Sequence, residues 1–345
     1  MQLYEFQAKT VFRKHGIQTP NGLMAGTCEE AVEAAKKIGL PVAIKAQVLH
    51  GGRGLAGGIM IVKSSEDVFS VASTILRTDL KSEKPVALLI EEKLDIAKEL
   101  YCAVTWDYPG KRPILIASSS GGMAIESIAR SRPSEVVTLP IDPYLGYSQY
   151  VGRHLGARIG LQGKEVVTFG NIVNRLWNVF REHDAELVEI NPVGVLCNGD
   201  MVAVDAKLTL DDKSLFRQKE VIDEMPVVPC GGKGGLAYRR LRAKELGIPT
   251  YIEMEGEIGV LSDGAGTGML TLDLIQDAGG KIRVYCEMGG EATPELMEKT
   301  LTTAANSGHV GVVLVTLIGG LNRMDEMAEG IVRYVNSQKS KPKIV

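Results

Sequence analysis

Lys45-Ala46-Gln47-Val48-Leu49-His50-Gly51-Gly52-Arg53-Gly54-Leu55-Ala56-Gly57-Gly58 is the stretch on which the fold turns. It contains a formal G-x-G-x-x-G at Gly52, Gly54 and Gly57, preceded by an apolar run, Val42 to Val48, that predicts a strand. A dinucleotide fingerprint needs a helix after the glycines, so that the pyrophosphate rests on its N-terminus. Here the next segment is Gly58 to Val62, β-branched and apolar, which predicts a second strand. The stretch therefore reads as a glycine-rich hairpin loop whose backbone N–H groups approach phosphate oxygens, with Arg53 supplying charge. The bland alternative is a surface loop with no ligand. Lys45 lies on the strand entering the loop, among Val42, Ile44 and Val48. A lysine there is costly to bury unless paired, and a phosphate is a natural partner; an exposed edge position is the other reading. No Gly-Lys pair is followed by Ser or Thr, so a Walker A loop is absent.

Outward from this loop the first 210 residues alternate helical and strand patterns. Leu3 to His15 predicts an opening helix, and Thr27-Cys28-Glu29-Glu30 is a capping-box pattern leading into a helix that ends before Gly39. Ser64 to Asp67 caps another, and Lys164 to Phe180 is a long amphipathic helix. Further strands are expected at Val86–Glu92, Glu99–Trp106, Pro113–Ala117, Ala185–Ile190 and Met201–Ala206. Asp211 to Pro249, with its Pro229–Gly235 glycine cluster, reads as a domain boundary. Beyond it, strand, glycine turn and helix recur three times: Ile258–Ser262 before Gly264, Ile282–Met288 before Gly289-Gly290, and Val310–Ile318 before Gly319-Gly320. Such repeats predict a parallel sheet with helices on both faces. The expected division is residues 1–235, with subdomains of roughly 20–100 and the remainder, followed by residues 245–345.

The 345 residues suffice for two or three domains, and 39 of them are glycine, which suits tight turns and close backbone approach to ligands. Lys plus Arg number 39 against 42 Asp plus Glu, with few aromatics, so the footprint of a nucleic-acid binder is missing. The longest apolar run, Val310 to Leu321, includes three glycines and is too short to span a bilayer. Five scattered cysteines form no C-x-x-C, so neither a zinc site nor a disulfide framework is suggested. Together with an N-terminus unlike a secretory signal, this makes a cytoplasmic or organelle-matrix location the expectation.

Glu189-Ile190-Asn191-Pro192 ends one strand and Asp205-Ala206-Lys207 ends the next, joined through an Asn198-Gly199 hairpin turn. Pairing around that turn brings Asn191 and Asp205 together, an amide oxygen and a carboxylate suited to a Mg²⁺ that keeps waters and takes phosphate oxygens. Solvated strand ends are the alternative. Glu91 and Glu99 bracket the next loop, and either suits an adenine amino group or a ribose hydroxyl. The five histidines show neither metal-ligand spacing nor a nucleophile partner, so covalent catalysis has no candidate in this chain.

These segments together resemble the β subunit of succinyl-CoA synthetase and related nucleoside-diphosphate-forming acyl-CoA ligases. The likeness lies in LYEFQAKTVFRKHGIQTP at 3–20, KAQVLHGGRGLAGG at 45–58, DIAKELY at 95–101, VEINPV at 188–193, VDAKL at 204–208 and LFRQ at 215–218. It continues more loosely at DGAGTGM, 263–269, and IGGLNRMDEMAEGI, 318–331. The resemblance implies an α/β architecture, an ATP-grasp domain followed by a flavodoxin-like CoA-ligase domain. It implies ATP or GTP and CoA as cosubstrates, with Mg²⁺, and an α-subunit partner that carries the CoA site and a phosphohistidine, as a heterodimer or heterotetramer. Lys45, Gly52, Arg53 and Gly54 would hold the phosphates, Glu91, Leu94 and Glu99 the nucleoside end, and Asn191 with Asp205 the metal. Glu189 would steady the partner's phosphohistidine, and Asp263, Gly320, Leu321 and Asn322 would meet a small carboxylic acid.

Some positions depart from the family pattern. Asp263 stands where Asn is usual, Asn322 where Val is common, Glu291 in place of Gly, Leu55 in place of Lys and Leu94 in place of Thr. A carboxylate and an amide beside the acid predict a substrate other than plain succinate, such as a hydroxylated acid. Two other function classes fit the pattern less fully: a self-sufficient ATP-grasp carboxylate–amine ligase and a non-catalytic nucleotide-binding scaffold. Lys343-Ile344-Val345 reads as the start of a strand, so further chain or another polypeptide is expected to complete the sheet.

Overall fold

The computed structural model describes residues 1–49, 51–54, 56–80, 84–122, 125–218, 242–337 and 342–345, with only the backbone of Glu126. His50, Leu55 and residues 219–241, which hold most of the expected boundary including Pro229–Gly235, lie outside the described residues. The described chain forms two compact units, one within Met1–Gly232 and one within Lys233–Val345.

In the first unit, helix α1 (Glu5–Lys14) opens the chain. Strands β1 (Gly22–Ala25), β2 (Val42–Ala46), β3 (Ile59–Val62) and β4 (Leu88–Glu92) form an antiparallel sheet in the order β1-β4-β2-β3. Helices α2 (Cys28–Ile38) and α3 (Ser65–Arg77) cover one of its faces. Thr27 caps α2 by accepting from Glu30 N at 3.1 Å, and Ser64 caps α3 by accepting from Glu66 N at 3.3 Å, as the sequence predicts. Small residues on α2 (Ala31, Ala34, Ala35) and Val68, Ala72 and Ile75 on α3 meet Val42, Ile44, Leu88 and Ile90 in one core.

The second sheet of this unit contains β5 (Ile96–Asp107), β6 (Arg112–Ser118), β7 (Val136–Pro140), β8 (Ala185–Leu196), β9 (Met201–Ala203) and β10 (Lys207–Leu210). Its order is β10-β8-β5-β6-β7, with β9 also on β8. Helix α4 (Ile125–Ser131) comes after β6, while α5 (Gln149–Arg158) and α6 (Lys164–Glu182) pack on each other and the sheet. Phe169, Val173 and Leu176 of α6 bury against Leu100, Val104, Val188 and Ile190, and Phe12 of α1 joins the same core. The first residues run along β10, Leu3 N donating to Leu208 O at 2.9 Å and Leu210 N to Met1 O at 2.8 Å, so α1 is tied to this sheet. The sequence patterns assigned nothing between 118 and 163, where α4, β7 and α5 stand. Glycines hide α5: a Cβ on Gly152 would lie 2.8 Å from Gly170 O of α6, so close packing requires residues whose propensity argues against a helix.

The second unit is built on β11 (Thr250–Glu253), β12 (Ile258–Ser262), β13 (Ile282–Glu287), β14 (Val312–Thr316) and β15 (Lys343–Ile344), in the order β11-β13-β12-β14-β15. All pairs are parallel except β11 with β13. Helix α7 (Ala265–Asp277) lies over Ser262 and Tyr285, whose hydroxyls an added Cβ at Gly268 would strike. Helices α8 (Pro294–Ala305) and α9 (Met324–Ser337) pack together on the other face, with Met297, Leu301 and Met327 against Leu261, Val284 and Val313. The βα repeats thus yield the parallel, two-faced sheet that they predict. Among the described residues no helix is long and apolar enough to cross a membrane.

Candidate functional site

Strand β2 is an inner strand and Lys45 on it is buried, so the edge-lysine reading is wrong. The register sets Ala43 opposite Glu91, which puts Lys45 and Glu91 on one face as diagonal neighbours. Their ion pair is 2.7 Å long. Helix α1 enters the same space. Glu5 and Lys9, one turn apart and 2.8 Å from each other, join the pair: Lys9 Nζ lies 2.6 and 2.8 Å from the two Glu91 oxygens, and Lys45 Nζ is 3.1 Å from Glu5. Both ammonium groups also donate to the Val204 carbonyl at 2.7 Å. Gln47 accepts from Phe6 N at 3.1 Å and donates to Glu5 at 3.2 Å.

The glycine loop closes over this cluster. Gly58 N donates to Arg53 O at 2.8 Å, and a Cβ on Gly58 would lie 3.1 Å from that oxygen, so the turn needs a bare backbone there. Gly52 has φ +79°, the left-handed region that favours glycine, while Gly54 makes only ordinary contact with Ile59. Folding back, Arg53 is buried and donates to Ala46 O at 2.7 Å, to Glu5, and to Asp205 at 3.1 Å. Burial by itself would raise the Glu5 carboxyl, but Arg53, Lys45 and Lys9 hold it well below the ordinary carboxylate value. Burial would likewise lower Lys45 and Arg53, yet Glu5 above all, with Glu91 and Asp205, carries both upward. Lys9 ends lowered, because burial and the neighbouring Lys45 outweigh Glu5 and Glu91.

Asn191 and Asp205 come from one continuous antiparallel register on β8. Val193 faces Ala203 and Glu189 faces Lys207, and the ladder is broken only at 204–206, where Val204 N still donates to Pro192 O at 3.1 Å. Asp205 sits in that break and Asn191 is opposite it. The ladder of β8 with β5 slips by one residue at the same place, between Leu100 and Cys102, and such irregularities re-aim side chains. Asn191 Oδ1 accepts from Gly122 N at 2.8 Å, and Asp205 Oδ1 accepts from Ala206 N at 2.7 Å. Val188 and Ile190 are buried in the core, so Glu189 and Asn191 share the opposite face of β8. Glu99 lies against Gly122, where a Cβ would overlap its carboxylate, and a Cβ on Gly121 would overlap Leu100 O. This glycine pair therefore docks directly on β5 beside Glu99 and Asn191.

Not every expected site residue joins this group. Both oxygens of Glu91 are taken by Lys9 and Lys45, which leaves it committed to cations rather than offered to a nucleoside. Leu94, in the β4–β5 turn, lines a separate groove of about 500 Å³ with Ile17, Pro20, Leu196 and Val202. Asp263, Gly320, Leu321 and Asn322 belong to the second unit. There Asp263 accepts from Ile318 N at 3.0 Å, while Asn322 accepts from Ala292 N at 2.9 Å and donates to Gly289 O at 2.8 Å. The turns after β13 and β14 are thus pinned by these two side chains, with Leu321 exposed beside Gly290. Sequence reasoning missed Glu5, Lys9, Gln47 and the Gly121-Gly122 pair. A Glu-x-x-x-Lys pair on a helix normally signals solvent, and only the burial of both residues with most of α1 overturns that; the glycine doublet after β6 was the one available signal.

Residues 2–195 match the ATP-grasp domain model and residues 261–345 the CoA-ligase model. The succinate–CoA ligase (ADP-forming) subunit beta of Desulfurococcus amylolyticus is 37% identical over 347 residues, covering 100% of this chain and 89% of the relative. That of Rubrobacter xylanophilus is 39% identical, covering 97% and 86%. Among solved structures, ATP citrate lyase from Methanothrix soehngenii in complex with citrate and coenzyme A superposes with a TM-score of 0.70 at 18% identity, covering 97% of this chain and 85% of that one, a likeness of fold. An ATP-grasp match over residues 2–195, a CoA-ligase match after it, and relatives at 37–39% identity matched over nearly all of this chain place it in the β-subunit family of the nucleoside-diphosphate-forming succinate–CoA ligases.

Proposed function

We propose that this chain binds the nucleotide and metal of an acid–CoA ligase that turns ATP into ADP, and that its catalytic histidine is supplied by an α subunit in a heterodimer or heterotetramer. The observation that carries the reading is the convergence of the buried Lys45 and Arg53 on Glu5, with the half-buried Asp205 against Arg53, from three segments of chain. Lys45, Arg53 and the backbone at Gly52 and Gly54 take the phosphates. Glu99 meets the nucleoside, whereas Glu91 is assigned to positioning Lys45 and Leu94 to the separate groove with Ile17 and Val202.

Asn191 and Asp205 fit Mg²⁺ in donor chemistry, one amide oxygen and one carboxylate, both hard ligands. Among the described residues no group of three His, Cys, Asp or Glu side chains could hold a metal, so the remaining ligands would be water and phosphate oxygens. A bound Mg²⁺ supplies neutralisation of phosphate charge. Glu189, on the face of β8 shared with Asn191, orients the partner's phosphohistidine. The phosphoryl group passes from ATP to that histidine and then to a small carboxylic acid as an acyl phosphate, from which CoA displaces phosphate. This chain's part is positioning and charge. In the second unit Asp263 and Asn322 set which acid is accepted, by shaping the turns that carry Gly320 and Leu321. A cytoplasmic or organelle-matrix setting suits this chemistry.

The test is to purify the chain with its co-eluting partner and measure CoA-dependent ADP and GDP release across succinate, other mono- and dicarboxylic acids and hydroxy acids. Turnover with one acid, lost when the chain is assayed alone, is expected. ADP release that requires an amine in place of CoA would replace this reading with a carboxylate–amine ligase.

A further inference from the structure

The two cations assigned to the phosphates share one carboxylate. Glu5 Oε1 lies 3.1 Å from Lys45 Nζ, and Glu5 Oε2 accepts from both Arg53 and Gln47. The Glu5 side chain is 2% exposed, so water does not soften these contacts. A carboxylate held by a guanidinium and an ammonium presents to them what two phosphate oxygens would present, and Arg and Lys serve either acceptor with the same donors. Glu5 is held in place from behind. It stands in the first turn of α1, where the helix dipole favours an anion, and Lys9 one turn on binds it at 2.8 Å while also binding Glu91.

Resting on the nucleotide site proposed above, we infer that Glu5 competes with the nucleotide's phosphate oxygens for Lys45 and Arg53, and so limits nucleotide affinity and eases the departure of ADP, while Lys9 restrains Glu5 in this competition. Glu5 is thus a positioning residue and not a phosphate ligand. A merely structural ion pair makes a different prediction, since its loss would loosen the site and weaken binding.

The experiment measures ADP affinity by titration calorimetry with Mg²⁺, using the full chain with its co-purifying partner, at low and high salt. Glu5→Gln, which leaves the site one positive charge in excess, is expected to tighten ADP binding by roughly tenfold, with the gain shrinking as salt rises. Lys9→Met is expected to weaken it by a similar factor, and the double variant to return near the parent. Unchanged or weaker binding in folded Glu5→Gln protein, or a shift in the same direction for both single variants, overturns the inference. If Glu5→Gln yields no folded protein, Glu5→Asp and Lys9→Met decide. Glu5→Asp draws the charge back by one methylene and should tighten binding by a smaller factor; failure of Lys9→Met to weaken binding sinks the proposal. Lys45→Met separates the two ideas. If it leaves ADP affinity unchanged, the nucleotide site itself is misplaced; if it weakens binding while Glu5→Gln does not tighten it, only the role of Glu5 falls.

Discussion

Glu5 and Glu91 face Lys9, Lys45 and Arg53 in a space closed by α1, β2, β4 and the glycine loop, and the half-buried Asp205 adds a third carboxyl group against Arg53 at its margin. Burying so many ionisable groups is tolerable because each has an opposite charge within hydrogen-bond reach, and such networks are costly to break one member at a time. Glu91 shows the consequence best, since both its oxygens serve Lys9 and Lys45. Glu91→Gln should leave excess positive charge in the core and lower unfolding stability by about 3–5 kcal/mol, read as a drop in urea midpoint with an unchanged slope. The solvent-exposed pair of Glu33 with Lys36 is the control, and Glu33→Gln should leave the midpoint where it was. Equal effects of the two substitutions would mean that burial of the cluster has been overvalued.

Elements, too, are joined by polar contacts at their ends. Helices α1 and α6 meet at their C-caps, where His15 Nε2 lies 2.9 Å from His183 Nε2. Gln218 Nε2 donates to Glu182 O and Asp184, so its Oε1 accepts from His183 Nδ1 at 3.1 Å. In neutral rings that makes His183 Nε2 the acceptor and His15 Nε2 the donor. Burial and His183 lower the pKa of His15, against the opposing pull of Glu182 at 3.9 Å. A histidine whose folded pKa lies below its unfolded value takes up its proton first in the unfolded chain, so stability is complete above the ordinary value of 6.5 and is lost as pH falls through it. His15→Gln keeps a donor to His183 and removes the titration. Its stability should therefore fall less than the parent's between about pH 6.5 and 5; parallel curves in chemical denaturation would exclude His15 as a source of the slope. The glycine contacts of α5 with α6 work at the same scale, for they decide that a segment of weak helical propensity becomes a packed helix.

For the whole molecule, the two units have separate cores, the first sharing no residue with that built on Leu261, Val284 and Met297. Substitutions in separate cores that share no partner are expected to act additively. Asp263→Asn with Asn322→Val should move acid preference toward succinate while leaving ADP affinity within about twofold. Lys45→Met should weaken ADP binding without changing the ranking of acids. Crossed effects in kcat/KM across the acid panel and in ADP titrations would show that the two sites do not act independently. Much of this was legible in the sequence by itself. The caps at Thr27 and Ser64, the hairpin turn at Asn198-Gly199, the loop that is not a dinucleotide fingerprint and the βα repeats of the second unit are written within a few residues of chain, because backbone geometry and local hydrogen bonds determine them. Tertiary structure alone decided that Lys45 is an inner-strand residue paired with Glu5 and Glu91, that Lys9 reaches Glu91 across 82 residues, and that Arg53 reaches Asp205 across 152. Those partners are chosen by sheet register and by the seating of α1 on the second sheet, and a charge in a sequence carries no mark of whether water or an opposite charge will surround it.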